Sequence, residues 1–224
     1  KKENIVNQRV RKPVRIRPRW LFTRGLLALG CAWVLLIGSL SFFYIQRLTR
    51  PVCAISTEVV EGFESVTLVT ADGVHLDGWW RAPDASANGA VVLLSGGHAG
   101  TRDSLLSEAR FLAQNGYGVL AASTRGCSGV RATFGYREVQ DLRAMVEFAQ
   151  RQPGVSWLAG LGFSAGGVAL VLGAQEMPEI RALVVEGSYA SLDGEINAGS
   201  AGLFSLEWQI RRMAGVSYTL LTGI

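Results

Sequence analysis

The chain has 224 residues, 49% hydrophobic and 18% charged, which leaves room for one ordinary domain with a sizeable core and excludes a disordered or fibrous class. Its formal charge of +4 is unevenly placed: residues 1–24 hold nine Lys or Arg against one Glu, the rest thirteen basic against seventeen acidic groups, so the folded part is mildly acidic and no nucleic-acid partner is expected. Three cysteines, Cys31, Cys53 and Cys127, are too few and too irregularly spaced for a disulfide framework or paired zinc ligands.

Residues 1–24 form a basic tail containing RVRKPVRIRPRW, read as a topology signal on anionic lipid or, alternatively, as a partner-binding arm. Leu26 to Ile45 then run without a charge, about the length a helix needs to cross a bilayer, so a transmembrane helix is predicted over residues 25–46. Trp20 and Phe22 flank one end; Phe42, Phe43 and Tyr44 flank the other, where aromatic rings favour the interface. Eight Lys or Arg precede Trp20 while only Arg47 and Arg50 closely follow the span, which puts the amino terminus in the cytoplasm and the larger part outside. A cleaved signal peptide would have a shorter apolar region and a small-residue cleavage site. Ala28, Gly30, Ala32, Gly38, Ser39 and Ser41 within the span would allow close contact with another helix.

Residues 47–65 carry a Pro and no sustained period and read as a connector on the domain or membrane surface. Cys53, inside it, has Cys127 as an available partner, although nothing in the sequence places the two together. From residue 66 the pattern becomes regular. SVTLVTADGVHLDGWWRAP predicts a hairpin turning at Ala71-Asp72-Gly73. GAVVLLSGG gives a buried strand, Asp103 to Asn115 a helix, Gly118 to Ala122 a strand and Arg137 to Gln150 a helix ended by Pro153-Gly154. Trp157 to Leu161 is a strand, a helix starts near Ala165, and Ala182 to Val185 is a last strand. Strands alternating with helices predict an α/β class with a predominantly parallel sheet flanked by helices. Residues 187–213, with Trp208 and the GEINAGSAG stretch, read as a lid or as a surface loop followed by a helix.

Between the strand at Trp157 and the helix at Ala165 lies Gly162-Phe163-Ser164-Ala165-Gly166, a G-x-S-x-G pattern at a strand-to-helix turn. Such a turn thrusts the Ser164 hydroxyl out at the carboxyl edge of the sheet, and the following helix amino terminus favours developing negative charge. The Ala165 N–H is then one oxyanion donor, and a second is expected from Ser95-Gly96-Gly97-His98-Ala99-Gly100, at Gly97 or His98. The rival reading is an inert tight turn.

Four phrases in order, ADGVHLDGWW, VVLLSGGHAGTRDS, NGYGVLAASTRG and LGFSAGG, resemble the α/β-hydrolase superfamily, particularly membrane-anchored members related to serine aminopeptidase and dienelactone-hydrolase-like proteins. The resemblance runs from about Val66 to Ile224 and implies a nucleophile at Ser164, an oxyanion loop around Gly97 and cleavage of an ester, amide or similar acyl bond. Many relatives have His-Gly where Gly96-Gly97 or Ser95-Gly96 stands, and an Asp before the Arg-Gly matching Arg125-Gly126, where this chain has Ser123 and Thr124.

The fold orders its triad as nucleophile, acid, histidine, but His75 and His98 both precede Ser164. His75 reads as an ordinary strand residue, His98 as orienting the oxyanion loop, and Glu186 as an alternative acid at a strand end. The sequence is therefore expected to stop inside a partial hydrolase domain, 66–224, with the acid and histidine strands in a continuation, and to be inactive as it stands. Two functions follow: an anchored serine hydrolase facing outward, acting on a small-molecule or peptide acyl substrate; or a noncatalytic hydrolase-like subunit of a larger membrane complex. Membrane lipid is a partner in both. No phosphate-cradling loop, zinc-ligand cluster or haem-attachment pair occurs, so no cofactor and no metal are expected.

Overall fold

The computed structural model describes residues 18–54, 56, 60–85, 88–198, 202 and 205–224. Most of the basic tail, part of the connector and part of the GEINAGSAG stretch lie outside the described residues. Thirteen elements follow in chain order, twelve of them helices and strands: α1 (Pro18–Leu48), β1 (Glu64–Val69), β2 (His75–Arg81), β3 (Ala90–Ser95), α2 (Leu106–Gln114), β4 (Gly118–Ala122), α3 (Glu138–Gln150), β5 (Trp157–Phe163), α4 (Ala165–Ala174), β6 (Ile180–Glu186), α5 (Leu192–Asn197) and α6 (Leu206–Thr222), with a short 3-10 turn at Arg125–Ser128.

The six strands form one sheet in the order β1-β2-β4-β3-β5-β6. β1 and β2 are the predicted hairpin, closed where Gly73 adopts φ +82 and its N–H bonds Thr70 O at 2.9 Å. β2 pairs antiparallel with β4, and every pairing from β4 onward is parallel. The sheet is mixed but mostly parallel, as the alternation of strands and helices predicts. β3 shows why such strands read as continuous apolar runs. Val91 and Leu93 point to one face, where Leu142, Met145, Val146 and Ala149 of α3 and Leu170 of α4 cover them. Val92 and Leu94 point to the other, with Trp79, Val119, and Ala109 and Ala113 of α2.

The connector is more structured than its sequence indicates. Val60 and Phe63 are buried in the second of these cores, and Cys53 is joined to Cys127 of the 3-10 turn by a disulfide bond, with 5.5 Å between their Cα atoms. The low-key pairing of the sequence reading is thus made, because chain folding brings together two residues 74 apart.

Helix α1 is long and apolar enough to cross a membrane, over a candidate span of 30 residues, Arg19–Leu48. Its first two-thirds are exposed, whereas Ile37, Ser41, Ile45 and the following Thr49 are buried. The partner is α6. Trp33 Nε1 donates to Gln209 Oε1 at 2.8 Å, Gly38 faces Met213, and the Ser41 and Ser217 hydroxyls bond at 3.0 Å. Positions on the two helices advance together, so they run parallel. Ile45, Ala214 and Tyr218 then join Phe134, Leu192 and Ile196 in a third apolar cluster. The small residues Gly38 and Ser41 of the span serve contacts within the chain, while Gly25 and Gly30 meet nothing within 4 Å.

Candidate active site

β5 hands over to α4 at Ser164, whose backbone has φ 52 and ψ −122, a strained conformation for a residue with a side chain. Three glycines make this turn sterically feasible. A Cβ at Gly162 would fall 2.6 Å from Gly167 Cα; one at Gly166 would fall 2.2 Å from both Ser95 O and Gly96 O; one at Gly167 would fall 2.1 Å from Ser188 Oγ. The first turn of α4 therefore lies against the carboxyl ends of β3 and β6 with hydrogen atoms as the only spacers. Ser164 N donates to Glu186 O at 2.9 Å, and Ser164 O accepts from Gly167 N, Val168 N and Ser188 Oγ at 3.0, 3.2 and 2.8 Å. The strained residue is over-determined by its neighbours.

The loop after β3 approaches the same point. A Cβ on Gly97 would lie 3.6 Å from Ser164 Cβ, in ordinary van der Waals contact, so the loop backbone lies beside the serine. Gly100 N closes this loop onto Gly97 O at 2.8 Å, and Thr124 Oγ1 and Thr124 N both donate to Gly100 O. Ser123 Oγ accepts from Arg102 N at 3.0 Å. Ser123 and Thr124, which depart from the family phrase, thus tie down the loop that carries Gly97 and His98. Ser164, Ala165 and His98 share a cavity of about 320 Å³ with Tyr44 and Leu48 of α1; Phe134, Leu192 and Ile196 give it an apolar side, and Glu195 and Arg211 give it a charged one.

No family model and no curated protein matches the chain. Among solved structures, the esterase Pf2001 of Pyrococcus furiosus in its P212121 crystal form aligns with a TM-score of 0.62 at 24% identity, over 78% of this chain and 73% of its own. Its C2221 form aligns with a TM-score of 0.56 at 25% identity, over 77% and 71%. The fold is that of the α/β-hydrolases.

Within that hydrolase fold, the elements bring together Ser164, Ala165, Gly97 and His98, and leave His75 apart. His75 is exposed at the first residue of β2, three strands from β5 in the sheet order. His98 is half-buried and stacks on Phe134, ring centroids 5.4 Å apart. Burial holds its imidazole below the ordinary value, opposed by the Leu48 backbone and the Glu138 carboxylate. Phe134 itself has φ 55, and its loop is fixed by buried Glu138, which accepts from Thr133 N, Thr133 Oγ1 and Gly135 N at 2.7 to 2.8 Å. Tyr189 OH donates to Phe134 O. Glu186, the alternative acid, is exposed, and its backbone rather than its carboxylate touches Ser164. Among the described residues no hydrogen bond ends on the Ser164 hydroxyl, and none groups three metal-ligating side chains.

Sequence reasoning missed the ionic frame behind this site. Arg125, 2% exposed, donates from N and Nε to Asp141 at 2.9 and 2.8 Å and from its two terminal nitrogens to Asp72 at 2.8 and 3.2 Å. These bonds hold the Asp72 carboxyl down to about 2, while burial pushes Asp141 up against the pull of Arg125. The hairpin tip is thereby bolted to the 3-10 turn and α3. A usable signal existed: an Arg three residues past the end of a wholly buried strand, if it is itself buried, needs carboxylate partners.

Proposed function

We propose that the chain is a membrane-tethered serine hydrolase of the α/β-hydrolase fold, acting outside the cytoplasmic membrane on an ester, amide or similar acyl bond. The observation that carries this reading is the backbone of Ser164: a side-chain-bearing residue at positive φ, on a strand-to-helix turn, with the Gly97 backbone against it. Ser164 Oγ attacks the acyl carbonyl carbon, its proton passing to a base and then to the leaving group as the acyl–leaving-group bond breaks. The N–H groups of Ala165 and of Gly97 or His98 donate to the oxyanion, aided by the amino terminus of α4. In the chain order of the fold the acid and the histidine lie on strands after β6. The open edge of β6, where Leu183, Val184 and Val185 are exposed, has room for those strands. The outward placement is supported by the basic residues before the span and by the Cys53–Cys127 disulfide, a bond that persists in oxidising compartments.

A second reading, a noncatalytic subunit of a membrane complex, is favoured by the finding that, among the described residues, no base is hydrogen-bonded to the Ser164 hydroxyl. Fluorophosphonate labelling of the full-length protein in membranes separates the two. Labelling that disappears in Ser164→Ala supports the hydrolase; an unlabelled protein that copurifies with stable partners after detergent extraction supports the subunit.

A further inference from the structure

The cavity holding Ser164 is walled on one side by the membrane helix. Tyr44 and Leu48, one helical turn apart at the end of α1, line it with His98. The same three residues line a second cavity of about 360 Å³ that continues past Arg47 and Val52. Tyr44, Leu48 and His98 thus form a shared wall between the cavity that holds Ser164 and one that lies along the last turn of α1.

The position of this wall relative to a bilayer is fixed by bonds rather than by a linker. Cys53 is joined to Cys127, Ala132 N donates to Thr49 O at 2.9 Å, Arg131 donates to Thr49 Oγ1 at 3.0 Å, and Ser41 bonds Ser217 at 3.0 Å. Phe42 and Phe43 stand exposed just before Tyr44, an aromatic pair suited to headgroup level. With the span read as Leu26 to Ile45, Tyr44 falls at its outer end, beside the cavity. Beside it, α6 turns Val216 and Leu220 outward, 60% and 76% exposed, and carries no charged residue after Arg212. Exposed Arg47 at the outer cavity provides a cation for a headgroup phosphate.

Resting on the serine-hydrolase reading, we infer that the substrate is a long-chain acyl ester of a membrane amphiphile, its chain running from the bilayer past Tyr44 and Leu48 to Ser164. A soluble short-chain ester would use none of these walls.

The test uses the full-length protein in phosphatidylcholine vesicles with p-nitrophenyl palmitate and p-nitrophenyl acetate, alongside fluorophosphonate labelling. A kcat/KM for palmitate at least about tenfold above that for acetate is expected, since each methylene of the chain buried against Tyr44 and Leu48 adds to binding. Leu48→Trp, which narrows the cavity, should lower the palmitate-to-acetate ratio about tenfold. The wild-type ratio needs no variant to fold, so the inference stays testable if Leu48→Trp does not. A labelled protein that prefers acetate, or whose ratio ignores Leu48→Trp, overturns the inference and leaves the hydrolase reading standing. A protein that neither labels nor turns over either ester overturns both.

Discussion

The Ser164 cavity is closed on its inner side by the elbow of β5 and α4 and on its outer side by the paired helices α1 and α6, and the two walls are built by opposite means. At the elbow, Gly162, Gly166 and Gly167 let three backbones approach where any Cβ would overlap main-chain or buried atoms. At the helix pair, Gly38 faces only the flexible end of Met213 at 3.6 Å, and two side-chain hydrogen bonds, Trp33 to Gln209 and Ser41 with Ser217, set the alignment. The inner wall is rigid because it has no slack; the outer wall is specific because of a few polar contacts along an adaptable apolar seam.

The sharpest way to break this comparison is to add one methyl group to the inner wall. Gly166→Ala places a carbon 2.2 Å from two carbonyl oxygens of the β3 end, neither of which can swing aside. A loss of about 3 kcal/mol, read as a lower denaturant midpoint, is expected for this overpacking. A loss below about 1 kcal/mol would mean that the elbow yields and that Ser164 is not held under strain.

On the outer wall the largest single effect is predicted at the buried hydroxyl pair. Ser217→Ala leaves Ser41 Oγ without its partner in an apolar seam and should cost about 1 to 2 kcal/mol. Adding Ser41→Ala should restore part of that loss, since removing both hydroxyls leaves no unsatisfied group. Strictly additive costs in the double variant would show that the pair does not communicate and would weaken the assigned helix alignment.

What was legible in the sequence follows the same division. The elbow is encoded within six consecutive residues, Gly162 to Gly167, and its context of strand before and helix after is equally local. The α/β class, the hairpin at Asp72-Gly73 and the two-faced burial of β3 are likewise written in short apolar periods. The helix pair was not legible: Trp33 and Gln209 are 176 residues apart, and α6 by itself reads as an ordinary surface helix. The Cys53–Cys127 bond was legible only as a possibility and the Asp72–Arg125–Asp141 network was missed for the same reason, because composition and spacing say nothing about which distant groups meet. Of the site, Ser164, Ala165, Gly97 and His98 were found by pattern. Tyr44 was assigned to the span and Leu48 to the connector, and only the fold turns them into walls of the cavity.

A pH titration sharpens the contrast, because the contacts aligning the helix pair are uncharged whereas the frame behind the elbow titrates. Asp72, held at about 2 by Arg125 and Thr70, is depressed below the value of 3.8 that it has when unfolded. Its contribution to stability is therefore full above pH 3.8 and is lost as pH falls toward 2. Asp72→Asn should remove that segment of the acid limb while leaving the midpoint change caused by Ser217→Ala the same at every pH. The effect will be small, since the Asp72 side chain is 44% exposed and water screens the pair. An acid limb unchanged in Asp72→Asn would show that the hairpin tip is not tied through this carboxylate.

The smallest effect expected is also the most direct test of the comparison, because it repeats the elbow substitution in the seam. A Cβ at Gly38 meets Met213 Cε at 3.6 Å, ordinary van der Waals contact with a thioether methyl that can rotate away. Replacing a glycine inside a helix by alanine also removes backbone freedom from the unfolded chain, a gain of about 0.5 to 1 kcal/mol. Gly38→Ala should thus be neutral or stabilising by about 0.5 kcal/mol, against the loss predicted for the identical change at Gly166. If Gly38→Ala instead destabilises by about 1 kcal/mol or more, α1 and α6 are packed as tightly as the elbow, and the outer wall is as rigid as the inner one.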